Sequence, residues 1–187
     1  MNSATQLLLA AVSHVPEYLL KDCKVLPQKG NLLRFPWYGE RGGGGAFVMG
    51  RYVYMSGHFF DRNNSVNGLK DDLSTLLLIA HEVGHLPHSA QFSNDRTGQV
   101  RFLFWAAWTY VLSFFRNGSA WHKKAWIEQE AERGRWVLGK LIETTRPTME
   151  SDLLVPLRIN DLVTVDTWLK ERKTMIAELQ AQYPGWE

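Results

Sequence analysis

Leu76-Leu77-Leu78-Ile79-Ala80-His81-Glu82-Val83-Gly84-His85 is the stretch on which the reading of this chain turns. Five apolar residues lead into a His-Glu-x-x-His sequence in which Glu82 is the only charge between the two histidines. On a helix, positions i and i+4 project from one face, so the imidazoles of His81 and His85 can converge on one metal ion. Glu82 then stands beside that face, where a carboxylate can accept a proton from water. One zinc ion suits such a site: it takes imidazole nitrogen readily and brings water toward a pKa of about 7. The apolar lead-in matches a helix whose back packs on a core rather than a surface helix that carries two histidines by accident.

Two histidines leave a catalytic zinc one protein ligand short. The richest source of a third is Trp126-Ile127-Glu128-Gln129-Glu130-Ala131-Glu132-Arg133, which has helical character, with no proline and apolar Trp136, Val137, Leu138 and Leu141 following. Glu128 and Glu132 share a face there and Glu130 points elsewhere. His88 continues the stripe of His81 and His85, but Pro87 argues against a helix running cleanly through that point. Glu128, Glu132, Glu130 and His88 all therefore stand as candidates, in that order.

At these residues the sequence resembles the gluzincin peptidases, in particular compact ones with a Glu-x-x-Ala-Asp pattern on a second helix. Glu128-Gln129-Glu130-Ala131-Glu132 is similar to it, with glutamate in the final place. The resemblance, confined to residues 69–140, implies a zincin-like fold and peptide-bond hydrolysis. It also implies that Glu128 is the third zinc ligand and that Glu132 is a carboxylate orienting a ligand histidine. A peptidase further needs a donor for the oxyanion, and His122, His58, Tyr54 and Tyr110 are candidates. His122 comes first, because it precedes the glutamate helix by a few residues.

Around this centre the chain reads as α+β and predominantly helical. Its 187 residues, 45% of them hydrophobic, suit one domain over 1–187, with a core about 36–145 and a final amphipathic helix about 161–182. Ala46-Phe47-Val48-Met49 and Tyr52-Val53-Tyr54-Met55 flank Gly50-Arg51 as a β-hairpin beside the motif helix. An extended substrate could add to such a strand; simple covering of the core is the equal alternative. Gly42 to Gly45 lack the lysine and hydroxyl residue of a phosphate loop, so they read as an idle loop or a flap. Residues 61–68 read as a polar loop, with Asp71 or Asp72 starting the motif helix.

A net charge of +2 gives no electrostatic case for nucleic acid, and the single Cys23 rules out an internal disulfide framework. The apolar run Leu7-Leu8-Leu9-Ala10-Ala11-Val12 has no preceding Lys or Arg and reads as an amphipathic first helix, which favours a soluble, cytoplasmic protein. Residues 102–115 are nearly all apolar and aromatic, bracketed by Arg101 and Arg116. The run falls short of the about 20 residues a spanning helix needs, so it is expected to be a core helix buried on nearly all sides. A segment lying at a membrane interface is the less favoured reading. The expected partner is a peptide or protein substrate. Two other functions fit the same residues: a zinc-stabilised binding or regulatory module that cleaves nothing, and a hydrolase of cell-wall amides or a delivered toxin.

Overall fold

The computed structural model describes residues 1–27, 45–61, 69–70, 72–145 and 148–185. Helix α1 (Ser3–Ser13) starts where the Asn2 side chain accepts the Thr5 N–H at 2.8 Å, and it buries Ala4, Leu8, Leu9 and Val12. A short α2 (Glu17–Lys21) leads to strand β1 (Lys24–Pro27). Strands β2 (Ala46–Met49) and β3 (Tyr52–Met55) form the expected hairpin, and Gly50 takes φ +61° at its turn, where a side chain would be strained. Ala46, Val48, Val53 and Met55 face the core, while Phe47 stacks on Tyr54 across the other face at 4.9 Å. The sheet order is β1-β3-β2, with β1 parallel to β3. Strand β1 was not anticipated: four residues ending in proline carry no alternation to read.

Helix α3 (Leu73–Val83) begins where Asp72 accepts the Thr75 N–H at 2.7 Å. Asp71, residues 62–68 of the expected polar loop and Gly42 to Gly44 lie outside the described residues, as does part of the expected core range, 36–44. The His-Glu-x-x-His sequence does not sit wholly within one α-helix. Gly84 and His85 donate to the carbonyls of His81 and Glu82, a tightened last turn, and α4 (Leu86–Ser89) then starts anew. Pro87 explains the break, since its ring would clash with the carbonyl of Val83 one turn back.

Helix α5 (Arg96–Asn117) ends at Gly118, with φ +56°. Helix α6 (Trp126–Thr145) carries the glutamates. After a π-turn at Glu150–Leu154 come α7 (Val155–Ile159), α8 (Leu162–Glu171) and α9 (Lys173–Gln182). The single final helix expected over 161–182 is thus two. Arg172 separates them, with its guanidinium over the Trp168 ring at 4.4 Å and donating to the Trp168 carbonyl at 3.1 Å. That contact caps α8 and lets both pieces present apolar residues, Val165 and Ile176 among them, to the core.

One cluster of buried apolar side chains draws on α1, the sheet, α3, α6, α7, α8 and α9. Helix α3 packs more extensively on α6 than on any other element. Small residues permit this. A Cβ on Gly84 would lie 2.6 Å from Ala131 Cα and 2.9 Å from the Ala131 carbonyl oxygen. A Cβ on Gly134 would lie 2.2 Å from Ser13 Oγ and 2.8 Å from the Ala80 carbonyl oxygen. Ser13 Oγ itself donates to that carbonyl at 3.0 Å, so α1 joins the contact of α3 and α6 through a small side chain.

The expectation that 102–115 is buried on nearly all sides is overturned. Along α5 only Gly98, Phe102, Thr109 and Ser113 are buried, while Phe104 and Phe115 are 74% and 80% exposed. The inward stripe is small or polar because Ser113 must reach the Trp121 carbonyl, at 2.6 Å, and Thr109 its own helix at Ala106. Phe102 is the one large residue fully buried on this helix, and with Trp105 and Tyr110 of the same helix it enters a small aromatic cluster with Phe92 and Ile127.

Close packing at Gly84 gives the first prediction. Gly84→Ala should lower stability by about 1–3 kcal/mol in urea unfolding, since the new methyl meets backbone that cannot rotate away. Gly139→Ala, on α6 with nothing within 4 Å, should raise stability by up to about 1 kcal/mol. Equal effects at the two positions would refute the claim that Gly84 sets the spacing of α3 and α6.

Candidate metal centre

With α3 and α6 this close, Glu128, in the first turn of α6, faces the two histidines of the α3 terminus. His81 Nε2 lies 3.3 Å from Glu128 Oε2, and His85 Nε2 lies 3.7 Å from Glu128 Oε1. The ligand atoms of His81, His85 and Glu128 all fall within 4.8 Å of one another, and all three residues are buried. Ligands at about 2.0–2.1 Å from a tetrahedral zinc are about 3.3 Å apart, so the separations suit one ion held by all three. They are longer than the 2.7–2.9 Å or so of a good charge-assisted hydrogen bond, which makes a plain ion pair the poorer account.

The surrounding residues fit the same group. Glu132 Oε2 sits 2.9 Å from His81 Nδ1, which places the proton on that nitrogen and leaves Nε2 bare for a ligand role. Arg135 holds the other Glu132 oxygen, with Nη2 and Nε at 2.6 and 2.7 Å from Oε1. The Tyr110 hydroxyl donates to Glu128 Oε1. His85 Nδ1 is buried with no hydrogen-bond partner among the described residues, so only its Nε2 has a neighbour to act on.

Charge argues in the same direction. Glu82, Glu128 and Glu132 are three buried carboxylates, and burying unpaired charge is costly. Burial alone would lower the pKa of His81, but the carboxylates of Glu128 and Glu132 on its two nitrogens outweigh burial and raise it to about 10. Burial likewise opposes ionisation of Glu128, yet the bond to His81 and the charge of that imidazolium help bring its pKa down to about 2. His85, by contrast, is held neutral by burial, with its pKa down to about 3. Burial, with help from Glu128, lifts Glu82 to about 7, the range a general base needs.

Of the remaining candidates, the structure brings some to this cluster and not others. His122 Nε2 lies 4.0 Å from Glu128 Oε1, its ring stacked on Tyr110 at 5.5 Å, and its side chain is one-third exposed. His88 pairs with Glu130 at 3.0 Å against Trp126, and neither joins the metal-ligand group. His58 is exposed and bonded to Ser56; Tyr54 stacks on Phe47. The Arg135 contact to Glu132 was missed in the sequence, although its place one turn after a carboxylate was a readable signal.

No family model matches the chain, and no curated protein or solved structure matches it either. The chemistry of the cluster therefore rests on its own atoms, which make a prediction about protons. At pH 7 the metal-free His81 is protonated, because its pKa is raised to about 10, while His85 is already neutral. Zinc uptake must release the His81 proton, so affinity should rise with pH, by about tenfold per unit between pH 6 and 8. Calorimetric titration in buffers of different ionisation enthalpy should report close to one proton released per ion. Uptake with no proton release would count against His81 as a ligand.

Proposed function

We propose that this chain is a zinc-dependent metallopeptidase of the gluzincin type. The observation that carries the reading is a buried His81–His85–Glu128 donor set with the buried carboxyl of Glu82 next to His81 in the chain. His81, His85 and Glu128 would hold the ion, and Glu132 would keep His81 in the tautomer that leaves Nε2 free. Zinc bound there would polarise an amide carbonyl and acidify water. Glu82 would accept the water proton on its carboxylate and return it to the leaving nitrogen. His122, partly open to solvent at the edge of the cluster, would donate to the carbonyl oxygen. Tyr110 is less suited, because its hydroxyl is engaged with Glu128. Strand β2, an edge of the described sheet that packs beside α3, would offer its backbone to an extended peptide.

One observation favours a second reading, a zinc-stabilised module without activity. Every member of the donor set is buried, and the cavity lined by Thr5, Leu69, Ile79 and Leu157 includes none of them. Metal removal separates the two readings. A catalytic ion should leave on chelation with the far-ultraviolet dichroism kept, whereas a structural ion should take the fold with it.

Glu128→Ala should cost the protein most of its zinc by mass spectrometry, and Glu132→Ala should weaken zinc binding about 10–100-fold. Glu82→Gln should keep the ion and lose hydrolysis of an unfolded protein substrate. Turnover retained by Glu82→Gln would sink the mechanism, and no zinc in the wild type after adding it back would sink the site.

A further inference from the structure

We propose that the outward face of α5 docks on an anionic lipid surface, with the helix lying flat along it. Leu103, Phe104, Trp108, Val111, Phe114 and Phe115 are all exposed on this helix. At about 100° per residue they fall within one half of the helix circumference, opposite buried Phe102, Thr109 and Ser113. The face is about 18 Å long, far more than the isolated apolar residues that any surface carries. Trp settles at the level of lipid headgroups, and Phe and Leu form the buried face of helices that lie in that interface.

Charge identifies the occupant. Five of the chain's 21 basic residues and one of its 19 acidic ones, Asp95 at the start of α5, lie between 95 and 127. Arg96, Arg101 and Arg116 on α5, and Lys123 and Lys124 a few residues beyond it, are all exposed. A flat helix that buries aromatic side chains about 5–10 Å deep and sets cations at headgroup level matches a membrane of negative surface potential. A second copy of the chain fits less well. A two-fold contact through this face would bring ten cations around one apolar patch, with only the two copies of Asp95 among residues 95–127 to offset them. No described helix is long and apolar enough to cross a membrane, and the inference concerns one lying on its surface. It stands apart from the metal centre, and neither result bears on the other.

The test is co-sedimentation of the 187-residue chain with phosphatidylcholine vesicles, with and without about a third phosphatidylglycerol. The chain should pellet with the anionic vesicles and be released by salt, and should bind the neutral ones weakly. Phe104→Ser with Phe115→Ser, both at exposed positions that leave the core intact, should weaken binding at least about tenfold. Arg101→Glu with Arg116→Glu should weaken it by at least about fivefold per residue. Val163→Ser, an equally exposed apolar position on α8, should change nothing. Failure to bind anionic vesicles would overturn the proposal. So would equal binding to both kinds, or a self-association in sedimentation velocity that the two serine substitutions abolish.

Discussion

The backbone contact between α3 and α6 is what the rest of this structure depends on. Helices whose contact carries ordinary side chains sit about 8–10 Å apart, and a carboxylate on one then meets a histidine on the other only by full extension. Here Ala80 and Gly84 on α3 meet Ala131 and Gly134 on α6, and there is no room for a Cβ at either glycine. The closeness places Glu128 and Glu132 on opposite nitrogens of the same imidazole, that of His81. Helix α1 supports the contact from a third side, with Ser13 bonded to the carbonyl of Ala80.

Around that contact the polar groups form an arranged network rather than a scatter of solvated charges. Arg135 fixes Glu132, Glu132 fixes His81, and Tyr110 fixes Glu128, so each donor of the cluster but His85 is oriented by a neighbour. Such an arrangement is costly to bury without a cation at its centre, because three carboxylates share it with one imidazolium and one guanidinium. The two histidines respond in opposite senses to the same burial. His81 has carboxylates on both nitrogens and gains a proton, whereas His85 has one buried nitrogen with no partner and loses it.

Helix α5 follows the reverse of the usual pattern for an apolar segment. Apart from Phe102, its fully buried residues are small or polar, while Phe104, Trp108, Phe114 and Phe115 face outward. Sequence periodicity could not distinguish this, because a run apolar all round carries no moment to orient it. The side that packs was chosen by what it had to meet: Trp121 and His122 at one end, and Phe92 with Ile127 at the other.

Much of the fold was legible from local pattern. The hairpin followed from Gly50, the start of α3 from the Asp71-Asp72 pair, the break at Gly84 and His85 from Pro87, and the helical character of α6 from its composition. Strand β1 and the exposure of α5 were not legible, because each depends on partners elsewhere in the chain, and the division of the final helix turns on a contact between Arg172 and Trp168 that no glycine or proline marks. The same boundary runs through the site. By itself the sequence determined that His81, Glu82 and His85 would lie close together, since helical spacing alone places them so. Only the tertiary structure decided which of Glu128, Glu130, Glu132 and His88 would join them. Neighbours on one helix are set by the backbone's own period, whereas neighbours across two helices are set by how closely those helices can pack.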